Sequence, residues 1–415
     1  MTNAVPRFDD WTLVQDDDAL GFVVERACRA PTVGIDVEGN GLFAYHSRLC
    51  TVQMAWEEEE RTKIAVIDTL RVDVKALAPL FAAPSPIKVL HDLTFDARML
   101  FENGAPLQHA RDTSVAARLL GTKSTGLSAV LSTELGIVLD KRFQQHDWSR
   151  RPLEPAHLAY LSNDVAYLLP LDRALMTKAS ALDVVSEIEA ECAYRLLSAQ
   201  SIGRDPRPAY TRVKGVQRLD PTGRAILMHL VMAREEIAEN LDVPPFKVIT
   251  NDILLDFAQK RPRSTGDMRR IRGALSGRAG RYSTRWLEAI SKGVDAGNIP
   301  EQDRVYFGMS RLDRQTIANR RKFESKLTAF RRAEAGRRGV NEQAILPGHC
   351  VHELAALLSS STADDPDLVP RIAAILGSGS KRAEQYAENL ASFLKNEHSA
   401  DEAFEEEILE DEASE

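Results

Sequence analysis

Four carboxylates and one phenol have types and spacings that could carry chemistry: Asp36, Glu38, Asp96, Tyr160 and Asp164. Crowded carboxylates repel each other, since two unit charges roughly 4 Å apart cost about 4 kcal/mol at an effective dielectric of about 20. A fold keeps such a group ionised when divalent cations lie between the oxygens, and hard oxygen ligands favour Mg²⁺ or Mn²⁺. Two ions about 3.5–4 Å apart stabilise the attacking and leaving oxygens of a phosphoryl displacement. The set therefore predicts metal-assisted phosphodiester hydrolysis, with the tyrosine hydroxyl positioning the attacking water.

Local patterns indicate the elements that would position these side chains. Residues Val33–Glu38 alternate apolar and polar, which predicts a strand with both acids on one face. Tyr160 and Asp164 are spaced i, i+4 in a long apolar-periodic stretch, so both lie on one side of a predicted helix, about 6 Å apart along its axis. Residues Lys88–His91 indicate a buried strand, and Asp96 lies in the helix predicted to follow it.

Each of these motifs is common when taken alone. An acid-x-acid pair usually lies on a solvated face, and Asp96 is typical of an acid favoured by the dipole in the first turn of a helix. His91 is more typical of a core histidine than of a metal ligand. The three settings in this order favour a catalytic site over these structural interpretations.

Composition limits the class of protein. A chain of 415 residues with 44% hydrophobic residues predicts two to four domains with cores of their own. The first ten residues have no signal-peptide pattern, and no stretch approaches the roughly 20 apolar residues of a membrane span. Four cysteines occur singly, which argues against zinc and disulfides and favours a reducing cytoplasm. We therefore expect a cytoplasmic protein without an organic cofactor.

The net charge of −8 conceals a strong segregation of charge. Residues 204–338 carry 29 Lys/Arg against 16 Asp/Glu, a balance of +13, whereas residues 396–415 carry ten Asp/Glu and no Lys/Arg. Basic surfaces gain affinity for nucleic acid by releasing counterions from phosphates. The middle of the chain is thus predicted to bind nucleic acid, and the acidic tail is expected to be solvated and disordered.

The first 180 residues are predicted to form a mixed sheet covered by helices. The predicted strands are Val33–Glu38, Leu49–Trp56, Lys63–Asp68, Ile87–His91 and Ala110–Asp112. The predicted helices are Val74–Phe81, Asp96–Phe101, Ser114–Leu120, Leu127–Leu135 and Pro155–Lys178.

The remainder is predicted to be helical. Segments near 226–290 and 326–394 match weakly at an offset of about 97 residues, which predicts two small helical modules. The predicted organisation is an α/β domain over 1–180, a connecting helix and linker over 181–212, helical bundles over 213–295 and 318–395, and the acidic tail over 396–415.

The quoted motifs resemble those of the bacterial ribonuclease D family, which belongs to the DEDDy group of 3′-to-5′ exonucleases. The matching segments are Gly34–Glu38, Leu90–Asp96, Leu139–Lys141, Asp147–Leu153 and Tyr160–Pro170. Within them, Trp148 and Pro152 are predicted to be packing residues. The segment Val243–Phe257 is similar to the first HRDC module of the family, whereas the second module lacks its paired prolines. The resemblance covers about residues 10–395.

The resemblance implies a ribonuclease-H-like catalytic domain, two nucleic-acid-binding HRDC bundles and two Mg²⁺ or Mn²⁺ ions. It also implies that Asp36, Glu38 and Asp164 hold the ion at which water is activated. Asp36 would bridge to a second ion, to which Asp96 contributes through water, and Tyr160 would orient the attacking water with Glu38. The implied reaction releases nucleoside 5′-monophosphates from RNA 3′ ends, including those of transfer RNA precursors.

Two alternatives stay open at this point: a 3′–5′ exonuclease acting on DNA, and a non-catalytic RNA-binding scaffold. Contacts to the 2′-hydroxyl distinguish RNA from DNA and are not readable from the sequence. A binding module would gain nothing from uncompensated acids, which argues against the scaffold. The candidate RNA-binding residues are Arg261, Arg263, Arg269, Arg270 and Arg272, for which a solvated surface is the simpler interpretation.

Overall fold

A computed structural model gives the structure of residues 11–140, 142–201, 207–307 and 314–394, and the statements below concern these residues. Its six strands are β1 Trp11–Val14, β2 Thr32–Gly39, β3 Leu49–Glu58, β4 Arg61–Asp68, β5 Ile87–Leu90 and β6 Ala110–Asp112. They form one sheet in the order β1-β4-β3-β2-β5-β6. β3 is antiparallel to β2 and β4, and the other neighbours are parallel. This confirms the mixed sheet predicted from the sequence.

Helices cover both faces of this sheet. They are α1 Asp17–Ala27, α2 Ala78–Phe81, α3 Leu93–Glu102, α4 Thr113–Leu119, α5 Leu127–Leu135, α6 Pro155–Ala166, α7 Leu168–Ala181 and α8 Val185–Ser201. One apolar cluster includes Val33, Ile35 and Val37 with side chains of α1 and α3. A second cluster, built mainly from α4, α5, α7 and α8, packs on the opposite face. β1 and α1 were not predicted from the sequence.

The predicted single helix Pro155–Lys178 is wrong. The chain breaks at Tyr167, whose φ and ψ of −106° and 0° separate α6 from α7. The cause is Pro170 in the first turn of α7, because proline lacks the N–H of a continuous helix and its ring clashes with the carbonyl four residues earlier.

The C-terminal region has two further apolar cores. The first is built on α9 Pro221–Asn240, α10 Asn251–Lys260, α11 Thr265–Met268, α12 Gly277–Arg281 and α13 Ser283–Ala296. The second is built on α14 Arg314–Arg338, α15 Glu342–Ile345, α16 Gly348–Leu358, α17 Leu368–Leu376 and helical residues 381–394. α10 and α16 begin at the predicted offset, and Trp286 and Tyr386 are both buried. The acidic tail and most of the predicted linker lie outside the described residues.

Within the described ranges, no helix combines the length and apolar character that crossing a membrane requires.

Candidate active site

Three of the predicted carboxylates meet between the sheet and α6. Oxygen atoms of Asp36, Glu38 and Asp164 all lie within 4.8 Å of one another. Asp36 and Glu38 share one face of β2, as the alternation predicts. Gly34 lies on that face, where an added Cβ would stand 3.4 Å from the Cβ of Leu168 and 3.5 Å from a backbone oxygen of the α6 segment. The α6–α7 junction therefore packs closely on β2 at Gly34, where a methyl group would fit but a larger side chain would meet Leu168 and the α6 backbone.

Asp96 lies outside this group of three but within its electrostatic field. It is in the first turn of α3 and only 5% exposed. Burial raises the pKa of Asp96 well above its usual value, and the charges of Asp36 and Glu38 raise it further. The structure thus brings three of the four predicted acids into contact range, with the fourth beside them.

A buried aspartate that the sequence analysis missed sets the start of α3. Asp112 accepts hydrogen bonds from the backbone N–H groups of Asp92 and Leu93, at 2.9 and 3.1 Å, and from that of Ser114 at 2.8 Å. Asp92 is left-handed at φ 62°, a costly conformation that these bonds hold. Asp112 therefore fixes the direction of the helix that carries Asp96.

Burial and like charge both act on the pKa values of the three grouped carboxylates. Burial raises the pKa of Asp36 to about 7. Burial also raises the pKa of Asp164, and the charge of Asp36 adds to this, to about 8. The pKa of Glu38 rises to about 9, through burial first and then through the charges of Asp36 and Asp164. Desolvation and like charges both disfavour ionised carboxylates. Burial and mutual repulsion therefore raise the pKa values of these three carboxyl groups to the neutral range or above.

Tyr160 lies at the edge of this group. Burial raises the pKa of its phenol, and the charges of Asp164 and Glu38 raise it further. The hydroxyl is therefore protonated at neutral pH and can both donate and accept a hydrogen bond. It can orient a water molecule but cannot serve as a base there.

Gln53 is a second neighbour that the sequence analysis missed. It faces Asp36 across the β2–β3 ladder. In the amide orientation that satisfies both ends, its nitrogen donates to Oδ2 of Asp36 at 3.3 Å and to the Asp36 carbonyl at 2.7 Å. Its oxygen then accepts from the hydroxyl of Thr51 at 2.7 Å. The β2–β3 register was the signal that would have found it.

His91 has the structural role that the sequence favours. Its Nδ1 lies 2.8 Å from the Thr113 hydroxyl, and its Nε2 lies 2.8 Å from the Thr125 carbonyl oxygen. Both ring nitrogens are therefore occupied by neutral partners, and burial lowers the pKa of the ring.

The candidate RNA-binding arginines fall into two kinds. Arg261 forms an ion pair with Asp220 at the start of α9. Four others are exposed, and no side-chain ion pair joins them to another described residue: Arg263, Arg269, Arg270 and Arg272. The structure places these four in the α11 segment and the loop that follows it, away from the carboxylate group in sequence.

Comparison with known proteins agrees with this arrangement. Residues 11–180 match the 3′-5′ exonuclease family, and residues 224–290 match the HRDC domain. A ribonuclease D from Acidiphilium cryptum is 30% identical over 310 residues, which cover 72% of this chain and 77% of that protein.

Two solved structures share the fold over most of both chains. The ribonuclease D of Escherichia coli superposes with a TM-score of 0.65 at 21% identity, covering 93% of this chain and 99% of that one. A protein from Bifidobacterium adolescentis superposes with a TM-score of 0.67 at 19% identity, covering 92% and 97%.

An acidic site on a mixed sheet, followed by an HRDC domain, defines a 3′–5′ exonuclease with an appended HRDC domain. The similarity to the Acidiphilium cryptum ribonuclease D, which extends over 72% of this chain, identifies the family within this class. The chain belongs to the ribonuclease D family of 3′–5′ exoribonucleases.

Proposed function

We propose that this chain shortens RNA from the 3′ end by hydrolysis at two divalent cations, releasing nucleoside 5′-monophosphates. The observation that supports this most strongly is the group formed by Asp36, Glu38 and Asp164, whose oxygens lie within 4.8 Å of one another. Burial and like charge disfavour the ionised form of these three acids, and a bound cation would restore it.

The donor set fits Mg²⁺ or Mn²⁺. Its oxygens are hard ligands, and no histidine or cysteine belongs to the group. In the described part of the chain, no lysine or arginine forms an ion pair with Asp36, Glu38, Asp96 or Asp164. Bound divalent cations would supply the compensating positive charge.

The roles proposed for the ligands are those that the family resemblance implies. Asp36, Glu38 and Asp164 would hold the ion at which water is activated, and Asp36 would bridge to the second. Asp96, outside the contact group, would contribute through a water molecule. Bound divalent ions lower the pKa of water and stabilise charge on the attacking and leaving oxygens of the scissile phosphate.

The side chains of the protein position the nucleophile. The Glu38 charge acts on the Tyr160 phenol, and the protonated hydroxyl and the Glu38 carboxylate would hold one water molecule between a donor and an acceptor. Asp112 and Gln53 keep Asp96 and Asp36 in place. The protein therefore contributes alignment, which converts a bimolecular attack into an effectively unimolecular one.

The four exposed arginines near α11 would hold RNA phosphates. They are Arg263, Arg269, Arg270 and Arg272, and the segment that carries them contains one acid, Asp267. Arg261 would contribute less, because its guanidinium is already paired with Asp220. We also propose that residues 318–395 form a second, divergent HRDC module, with the domain limits 1–180, 181–212 and 213–295 given above.

The substrates would be RNAs with 3′ extensions, including transfer RNA precursors. The Escherichia coli relative is described as an exoribonuclease involved in structured RNA processing, which supports this class. The four cysteines are unpaired, which is consistent with the proposed cytoplasmic location.

The decisive test follows the release of label from 3′-labelled RNA, with and without EDTA. We expect nucleoside 5′-monophosphate to appear at once, and chelation to stop it. A matched DNA oligonucleotide, degraded as fast as the RNA, would favour the DNA-directed exonuclease instead.

A further inference from the structure

A cavity of about 360 Å³ lies where β5 and β6 end, and two arginines line it. Arg118 comes from α4 and Arg195 from α8. His91 and Asp92, which follow β5, form another part of the lining. Since one water molecule takes about 30 Å³, this arginine cavity has room for a phosphate group and several waters.

The arginine cavity lies on the same edge of the sheet as the carboxylate group. β2 and β5 are parallel neighbours, and Gly34 pairs with Val89. Two residues further along each segment come Asp36 and His91. Neighbouring strands are about 4.8 Å apart, so the cavity begins one strand away from the proposed cation site.

Arg118 has no acid paired with it. Its Nε is buried without a hydrogen-bond partner, and no ion pair joins its guanidinium to another residue in the described part of the chain. Burial lowers the pKa of Arg118, and the charge of Arg195 lowers it further. A guanidinium nevertheless stays charged in a protein. An anion in the cavity would give Arg118 the partner that the fold does not.

Arg195 is held in place from one side. Its Nε donates to Oε1 of Glu191 at 3.2 Å, and its Nη1 lies 3.9 Å from Oδ2 of Asp112. A guanidinium has five N–H donors in a fixed fork, so these contacts orient Arg195 and leave donors for a ligand. Two guanidinium groups thus line one cavity, and such groups favour bidentate pairing with phosphate.

The acids around the cavity do not make it a cation site. Both oxygens of Asp112 accept hydrogen bonds from backbone N–H groups, and Glu191 is paired with Arg195. Asp92 is exposed to water. The group that the lining offers without a partner among the described residues is the guanidinium of Arg118, which favours an anion.

The start of α5 adds backbone donors to the same cavity. Thr125 and Gly126 line it, and Gly126 caps α5 without a side-chain hydrogen bond. A Cβ added at Gly126 would meet no atom within 4 Å, so this end of the helix faces open space. The first N–H groups of a helix have no partner within the helix and favour anions.

We propose that the arginine cavity binds a phosphodiester of the RNA strand, on the 5′ side of the bond that is cleaved. Arg118 and Arg195 hold its charged oxygens, and the first N–H groups of α5 support them. The proposal rests on the proposed function, because that function places the RNA 3′ end at the cations. A strand that ends between Asp36 and Asp164 brings its preceding phosphates to the neighbouring edge of the sheet, where Arg118 lies.

The test replaces one phosphodiester of an RNA oligonucleotide at a time with an uncharged methylphosphonate. Kd is measured with the full-length protein by fluorescence anisotropy in EDTA, so that no hydrolysis occurs. A contact between charged groups is worth about tenfold or more in Kd. We expect one neutral linkage near the 3′ end to weaken binding by that factor. Arg118→Gln should weaken binding of the unmodified RNA to a similar extent.

The two changes should be non-additive, because they remove the same contact. In Arg118→Gln, the neutral linkage at that position should cost no more than about twofold, whereas neutral linkages elsewhere keep their full effect. The slope of log K against log salt should fall by about 0.7, which a merely structural arginine would not cause. Arg118→Lys should recover part of the loss, since it keeps the charge but not the planar fork.

Arg26→Gln is the matched control. Arg26 is also half-buried in the catalytic domain, but its guanidinium is paired with Glu58. This variant loses the same charge and should leave both Kd and the salt slope unchanged.

Two results would overturn the proposal: a Kd for Arg118→Gln equal to that for Arg26→Gln, or neutral-linkage penalties that are the same in Arg118→Gln as in the wild type at every position. If inorganic phosphate raises the Tm of the wild type but not that of Arg118→Gln, and no linkage is coupled to Arg118, the cavity binds free anions and the assignment to RNA is wrong. Failure of the proposed function looks different. RNA that binds but is not shortened with Mn²⁺ would end the proposed reaction, and the linkage series in EDTA would still decide the phosphate contact.

Discussion

Asp36 on β2 and Asp164 on α6 lie on elements far apart in the chain, yet their carboxylate oxygens approach within 4.8 Å. Burial raises the pKa of Asp164, and the charge of Asp36 raises it further. The α6–α7 junction that carries Asp164 packs closely on β2 at Gly34, where there is room for a methyl group but not for a larger side chain. The fold therefore holds two like charges together, which costs free energy until cations bind.

Removing either of these carboxylates should abolish hydrolysis. Asp36→Asn and Asp164→Asn keep the side-chain shape but remove the charge that would hold a cation. Loss of a supporting partner alone costs about 10- to 100-fold, so loss of a ligand should leave below about 1% of the wild-type rate. RNA binding in EDTA, measured by fluorescence anisotropy, should remain within about twofold, since phosphate contacts dominate it. Full activity in either variant would remove that residue from the metal site.

Stability should depend on pH and metal together. The pKa values of Asp36, Glu38 and Asp164 in the folded protein are raised to about 7, 9 and 8, above the unfolded values near 4. The folded state thus binds more protons over this window, so the metal-free stability from these groups is full below about pH 4 and is lost as pH rises through 7 to 9.

Divalent cations should reverse this loss, because they replace the protons. The increase in Tm caused by Mn²⁺ should be larger at about pH 8.5 than at about pH 6, measured by thermal unfolding against EDTA. Asp36→Asn is the control and should show a smaller increase at both values. A Mn²⁺ effect that is independent of pH would contradict the assignment.

Gly34 tests the packing that brings Asp164 to the strand. Gly34→Ala adds a Cβ at ordinary contact distance, 3.4 Å from Leu168, and should keep activity. Gly34→Val adds two methyl groups more than Gly34→Ala, and these would push the α6–α7 junction outward. A displacement of about 1 Å at the site should cost about a hundredfold in kcat, against about 1–3 kcal/mol in the free energy of unfolding. Equal kcat values for the two variants would mean that the close approach does not matter.

The exposed arginines should set the salt dependence of RNA binding. Replacing Arg263, Arg269, Arg270 and Arg272 with glutamine should weaken binding and flatten the plot of log K against log salt. The slope should fall by about 0.7 for each lost contact to a single-stranded phosphate. Arg173→Gln is the matched control, because that exposed guanidinium is paired with Glu57 at 2.7 Å. An unchanged slope in the fourfold variant would place the RNA elsewhere.

Periodicity alone located much of the fold and of the site. The alternation in residues 33–38 placed Asp36 and Glu38 on one face of β2, and i, i+4 spacing placed Tyr160 and Asp164 on α6. These successes share a cause: each depends on residues adjacent in one element. β1 was missed because four residues give too little alternation, and the break at Tyr167 was missed although Pro170 marked it.

Long-range partners could not be found in this way. Asp112 accepts hydrogen bonds from the backbone at the start of α3. Arg151, in a loop without periodicity, donates to both carboxylate oxygens of Asp68 at the end of β4. Trp148 was predicted to be a packing residue, which its burial bears out, but its stacking on Tyr160 depends on how the loop folds back. Contacts between distant segments need the register of the sheet, which the patterns of single segments do not contain.

The central claim is that these carboxylates bind a pair of divalent cations, and anomalous diffraction from a Mn²⁺-soaked crystal tests it most directly. We predict two peaks about 3.5–4 Å apart, one of them in contact with Asp36, Glu38 and Asp164. Mn²⁺ density elsewhere in the crystal, with none between these three side chains, would contradict the account.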